Sequence, residues 1–114
     1  MVNLKYKPLT SNRAWQGRRF KSKMYLSYEQ DLFRLLPSKI TIPSGELLFK
    51  CEFGVANRLS DLDNFLKPLI DILQKKYNFN DKMIYCIEAQ KKNVKKGEEY
   101  IQFEFAQLTA RVYN

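Results

Sequence analysis

The stretch LLFKCEFGV, residues 47–55, sets the strongest limit on the fold. Leu47, Phe49, Cys51, Phe53 and Val55 recur at every second position, with Lys50 and Glu52 between them. A period of two places alternate side chains on opposite faces of an extended chain, so the segment reads as a strand with one buried face. Such a face needs a cover. After it, Leu62, Phe65, Leu66, Leu69, Ile70 and Leu73 follow the i, i+3, i+4, i+7 rule of a helix. A second helix is expected in SYEQDLFRLL, 27–36, with Ser27 and Gln30 as a capping box and Pro37 at its end.

The remaining segments complete an order. VNLKY is a short first strand, and KPLTSNRAWQGRRFKSK an irregular basic loop. PSKITIPSGE is a loop, KKYNFNDK a turn, MIYCIEAQ a strand and KKNVKKGEE a basic loop. YIQFEFAQL alternates through Ile101, Phe103 and Phe105 and is expected to close a hairpin with the strand before it. The expected fold is therefore α+β: a single small domain over residues 1–114, in β-α-β-α-β-β order, with one mixed sheet packed with two helices on one face. The unit through 47–90 is a right-handed crossover if its two strands are parallel.

Composition bounds the chemistry. The chain has 114 residues, long enough to bury roughly two-thirds of its unfolded surface. It carries 20 Lys and Arg against 12 Asp and Glu, a net charge of +8. That surplus points to a polyanion as partner, nucleic acid first. There is no histidine, which removes Ser-His triads and His-ligated zinc. Catalysis then rests on carboxylates, lysine, tyrosine or an oxygen-held metal. Cys51 and Cys86 match no zinc spacing and read as reduced core thiols. No apolar run reaches membrane-spanning length and MVNLKYKPLT lacks an apolar signal core, so an intracellular protein without membrane partners is expected.

Against this basic background, three of the five aspartates fall within SDLDNFLKPLID, residues 60–71. One reading is structural: Ser60 caps a helix, aspartates favour its first turn, and Asp63 pairs with Lys67. The other is chemical. Asp61 and Asp63 stand two residues apart at a strand-to-helix joint, the close carboxylate spacing that Mg²⁺ needs. Pro68 withholds an amide and disfavours helical geometry at Lys67, so an irregular start is expected, with regular turns from about Phe65. Asp81 opens the next strand. If that strand lies beside 47–55 and parallel to it, Asp81 sits at the wrong end for Asp61; with another order or direction it reaches the pair.

The pattern D-x-D-N-x-x-K, then D-x-L, then an acidic residue opening a strand, resembles the RusA-like Holliday junction resolvases. The residues are Asp61, Asp63, Asn64, Lys67, Asp71, Leu73 and Asp81. TSNRAWQGRRFKSKMY resembles the family's N-terminal segment, and Lys91 the lysine near the end of its strand; the likeness spans about residues 8–105. Where the family often has two acidic residues, this chain has Asn80-Asp81, and where a member of the family has an arginine run before the first aspartate of the motif, ANRLS supplies only Arg58.

The resemblance implies a homodimeric endodeoxyribonuclease, dependent on Mg²⁺ (or Mn²⁺) and no small-molecule cofactor, that resolves four-way DNA junctions by paired symmetric nicks in recombination and repair. Carried over, Asp61, Asp63 and Asp81 hold the metal, and Lys67 joins them as the fourth catalytic residue. Asp71 is expected to be structural. The expected DNA contacts are Asn12, Arg13, Trp15, Arg18, Arg19, Lys21, Arg58, Lys91, Lys92, Lys95 and Lys96. Trp15 suits either stacking on an exposed base or packing in its loop, and the lysine loop suits phosphate contact or a solvated tip. An exposed apolar sheet edge or the tail LTARVYN are the candidate pairing surfaces. The expected place of action is the cytoplasm of a bacterial cell or a phage-infected host. Two other readings stay open: a non-catalytic basic DNA-binding module, and a structure-specific nuclease for flaps or other branched DNA.

Overall fold

The structure, a computed structural model, describes residues 1–11, 15–16 and 20–108. Strands β1 (Val2–Leu4), β4 (Leu47–Val55), β5 (Ile84–Asn93) and β6 (Tyr100–Gln107) form one mixed sheet in the order β1-β6-β4-β5. The central β4 runs parallel to β5 and antiparallel to β6. Helices α1 (Lys23–Leu35) and α2 (Leu66–Tyr77) complete the expected α+β order. Within the segment expected to be an irregular loop, β2 (Trp15–Gln16) and β3 (Phe20–Lys21) pair as a small separate ladder.

The core forms where the alternation of β4 said it would. Leu47, Phe49, Phe53 and Val55 are buried together with Ile101, Phe103 and Phe105 of β6. Tyr25, Tyr28 and Leu32 of α1 and Leu69, Ile72 and Leu73 of α2 join the same cluster. Each such buried side chain contributes about 1.5–3 kcal/mol, so this cluster dominates the fold's stability. The opposite side of β4 carries a polar ladder instead. There Glu52 accepts a hydrogen bond from Tyr100 at 2.6 Å and faces Lys92 at 3.5 Å. On that same side Gly54 has no room for a side chain: a Cβ there would lie 2.3 Å from the Tyr100 ring.

Three local expectations are corrected. Helix α1 begins one turn earlier than expected, capped by Ser22, whose hydroxyl accepts from the Tyr25 amide at 3.1 Å. Ser27 lies inside it, because burial of Tyr25 and Tyr28 requires helix on both sides of that serine. β5 and β6 do not form a hairpin: β4 lies between them, and the connection passes over its end, where the Val94 amide donates to the Val55 carbonyl at 2.9 Å. β5 also runs to Asn93, which takes Lys91 and Lys92 out of the basic loop and into the strand. Cys51 is a core thiol as expected, pushed up to about 12 by burial. Cys86, on the outermost strand, is only half-buried.

Candidate metal and nucleic-acid site

Phe53 near the end of β4 stacks on Phe65 at 5.3 Å between centroids. That contact fixes where the chain goes after the strand. Leu62–Phe65 form a 3-10 turn, and α2 starts only at Leu66. The irregular start expected from Pro68 is therefore present, and the proline ring itself is buried. Asp61 occupies the cap position of the turn in extended geometry, with its backbone carbonyl accepting from the Asn64 amide at 3.1 Å. Its carboxylate makes no capping bond. Ser60 is not the cap; its carbonyl accepts from the Lys91 ammonium at 2.6 Å.

Asp61, Asp63 and Lys67 are all exposed. Lys67 pairs with Asp71 at 3.4 Å rather than with Asp63. This i, i+4 pair contributes only a few tenths of a kcal/mol, so it steers the ammonium without holding it fast. Among the described residues, no hydrogen bond or ion pair involves the carboxylates of Asp61 or Asp63. A helix start built for stability would use at least one of them as a cap.

Cations gather at this same end of the sheet. Lys91 reaches back from β5 to the carbonyls of Ser60 and Arg58, at 2.6 and 3.4 Å. Arg58 is exposed in the connection after β4, and Lys95 and Lys96 lie in the turn after β5, where Gly97 takes a φ of +96°. Lys92 points to the polar face and pairs with Glu52. Ser11 donates to the Asn64 side chain at 3.3 Å, which puts Ser11 beside the acidic turn. Neither the Ser11–Asn64 contact nor the Lys91 anchor has a signal in local spacing; both join residues more than 30 positions apart. Asn12, Arg13, Arg18 and Arg19 lie outside the described residues. Trp15 and Lys21 are placed by backbone only, in β2 and β3.

Asp81 stands elsewhere. It opens a 3-10 turn, Asp81–Met83, capped by Asn80, whose side chain accepts from the Lys82 amide at 3.0 Å. Because β5 lies directly beside β4 and parallel to it, Ile84 is level with Leu47 and Asn93 with Val55. Asp81 therefore precedes the start of the ladder, while Asp61 and Asp63 follow its end. At about 3.3 Å per residue, the strand between them puts the two places roughly 25 Å apart. Among the described residues, no group of three carboxylates or cysteines is close enough to hold a metal ion.

The Asp61–Asp63 pair suits one class of metal. Mg²⁺ commonly takes one or two carboxylates and completes its shell with water and substrate phosphate. The donor set here is all oxygen and open to solvent. Among the described residues, no helix is long and apolar enough to cross a membrane. A scan against models of known protein families finds no match, and a comparison with curated proteins finds no relative.

Proposed function

We propose that the chain is a Mg²⁺-dependent endodeoxyribonuclease acting on four-way DNA junctions in recombination and repair, in the cytoplasm, as a two-fold dimer. The observation that carries this reading is the pair Asp61 and Asp63, exposed, unused for capping and at the same end of the sheet as Arg58, Lys91, Lys95 and Lys96 in a basic protein. When bound, Mg²⁺ supplies activation of water and polarisation of the phosphodiester. The chain's own groups do the rest. Asp61 and Asp63 hold the ion at a rigid strand-to-helix joint. Lys67, one helical turn beyond Asp63 and loosely tethered by Asp71, swings to the phosphate as charge accumulates on it. Arg58, Lys91, Lys95 and Lys96 hold the flanking phosphates, with Lys91 also bracing the turn through Ser60.

The third carboxylate comes from the second subunit. One chain parts Asp81 from Asp61 by the length of a strand, and a two-fold axis returns it twice, once to each site. Two equal sites then deliver the paired nicks that resolution requires.

The test is cleavage of a synthetic mobile four-way junction in Mg²⁺ or Mn²⁺. Wild type is expected to give paired symmetric nicks, and Asp63→Asn and Asp81→Asn none. Mixing those two variants regenerates one intact site in each mixed dimer, so roughly a quarter of the sites recover, as single nicks. Binding without cleavage by wild type identifies a basic DNA-binding module instead. Equal cutting of flaps and three-way substrates identifies a nuclease for branched DNA generally.

A further inference from the structure

Leu59 is 90% exposed, against 68% or less for the other large apolar side chains among the described residues. Its backbone is nonetheless held at three successive residues. The Leu59 amide donates to the Asn57 side chain at 2.9 Å, an Asx turn. On either side of it, the carbonyls of Arg58 and Ser60 accept from the Lys91 ammonium at 3.4 and 2.6 Å. Ordering a loop costs conformational entropy that its contacts must offset. Here those contacts are polar, and the apolar side chain they display gains almost no burial. A lone exposed leucine is ordinary on a protein surface. This one stands two residues before Asp61, next to exposed Arg58, at the end of the sheet that also carries Lys95 and Lys96.

We propose that Leu59 is a wedge that enters the base stack of branched DNA at the point of strand exchange. The inference rests on the branched-DNA reading above and adds how the fold engages the branch. Leucine is one of the apolar side chains that proteins push between base steps to unstack them. Unstacking costs least where pairing is already interrupted, and the point of exchange is such a place. Arg58, Lys95 and Lys96 supply the other half of the contact, because they attract backbone phosphate whatever the sequence. A charged side chain at position 59 would lose its hydration inside the stack, whereas leucine has none to lose. Leu59 and Asp61 lie at most about 7 Å apart along the backbone, roughly two base steps. The pinned tip therefore sets which phosphate is presented to Asp61 and Asp63.

The test uses an immobile four-way junction carrying 2-aminopurine at the exchange point, saturated with protein in EDTA so that nothing is cut. Wild type is expected to raise the fluorescence severalfold, and to leave it unchanged when the probe sits in mid-arm. Leu59→Ser is expected to lose that rise and Leu59→Met to keep most of it. Both variants are expected to keep the wild-type slope of log binding constant against log salt, because Leu59 contacts no phosphate. No rise with wild type, an equal rise with Leu59→Ser, or a loss shared by Leu59→Met overturns the wedge. So does a salt slope that falls along with the signal, which means that the leucine holds the loop and does not enter the stack. A wild-type dimer that Leu59→Ser splits in sedimentation puts the leucine between two copies and also overturns it. A protein that opens the exchange point and then cuts nothing in Mg²⁺ loses the nuclease reading and keeps the wedge. Cutting of the junction with no opening does the reverse.

Discussion

The two ends of the β4–β5 ladder use their polar groups differently. Where the strands begin, the chain closes down: Asn78 takes the left-handed conformation to end α2, the Asn80 side chain caps the next turn, and the Tyr77 hydroxyl donates to the Pro37 carbonyl at 2.6 Å. Where the strands finish, it leaves polar groups open: two carboxylates without capping bonds, exposed Arg58, and Lys91 braced against two backbone carbonyls. Both ends sit on the same aromatic core, so stability does not account for the contrast. At the open end side chains also serve the fold, Asn57 accepting from the Leu59 amide and Glu99 from the Gly97 amide, but the carboxylate of Asp61 does not cap its turn, and Asp81 lies at the closed end.

The largest expected effect sharpens that contrast through chemistry. Lys67→Ala is expected to lower junction cleavage about 100-fold or more, on the scale of losing one charge-stabilising group in a transition state. Lys39→Ala, in the loop before β4, is expected to leave cleavage unchanged. Steady-state nicking rates at saturating Mg²⁺ separate the two.

Next in size is a packing effect at the open end. Gly54→Ala forces a Cβ into the Tyr100 ring and is expected to cost about 1–3 kcal/mol, the usual penalty for overpacking. Urea unfolding measures it. An unchanged midpoint means that the ring moves freely and that the open end is softer than its packing indicates.

Salt dependence tests the cations. Replacing Lys95 and Lys96 with alanine is expected to reduce the slope of log binding constant against log salt by about 2, near one for each phosphate left without its lysine. An unchanged slope makes that turn a solvated tip.

The smallest effects concern the protein without DNA. In the absence of metal, Asp63→Asn relieves repulsion between neighbouring carboxylates and is expected to raise stability by a few tenths of a kcal/mol, a typical size for an exposed like-charge pair. Asp81→Asn is expected to give no such gain. Alkaline titration reports on tyrosines in and around the sheet. Burial, first, and bonds to Asp31 and Glu52 push Tyr6 and Tyr100 up to about 12, and burial pushes Tyr25 to the same value. The folded state thus holds these protons more tightly than the unfolded chain, whose tyrosines titrate near about 10. Their contribution is full below that value and is lost as pH rises toward 12. Thermal melts across that range check it.

What could be read in advance followed local periodicity. The alternation of Leu47 to Val55 reports a buried face where it was expected; of the stripe from Leu62 to Leu73, Phe65, Leu69 and Leu73 are buried, Leu62, Leu66 and Ile70 only partly, and Ile72, outside the stripe, fully. Pro68 foretold the 3-10 start because its effect acts on its neighbours. The cap of α1 was misplaced because Ser27 with Gln30 has the capping-box spacing and Ser22 has not, while the burial of Tyr25 favours the earlier start. The hairpin was misplaced for a deeper reason. A short turn with a glycine between two alternating strands suits a hairpin, and the insertion of β4 between them depends on pairings some 50 residues apart. The same non-local choice sets the distance from Asp81 to Asp61. Spacing along the chain named both residues and was silent on which end of the sheet each would occupy.

The parallel run of β5 beside β4 also has a kinetic meaning. On the proposed reading, a lone chain holds only part of its acidic set and is inert, so activity in dilute solution grows with the square of the protein concentration. Such a nuclease is silent when scarce, and its threshold is written into the direction of a single strand.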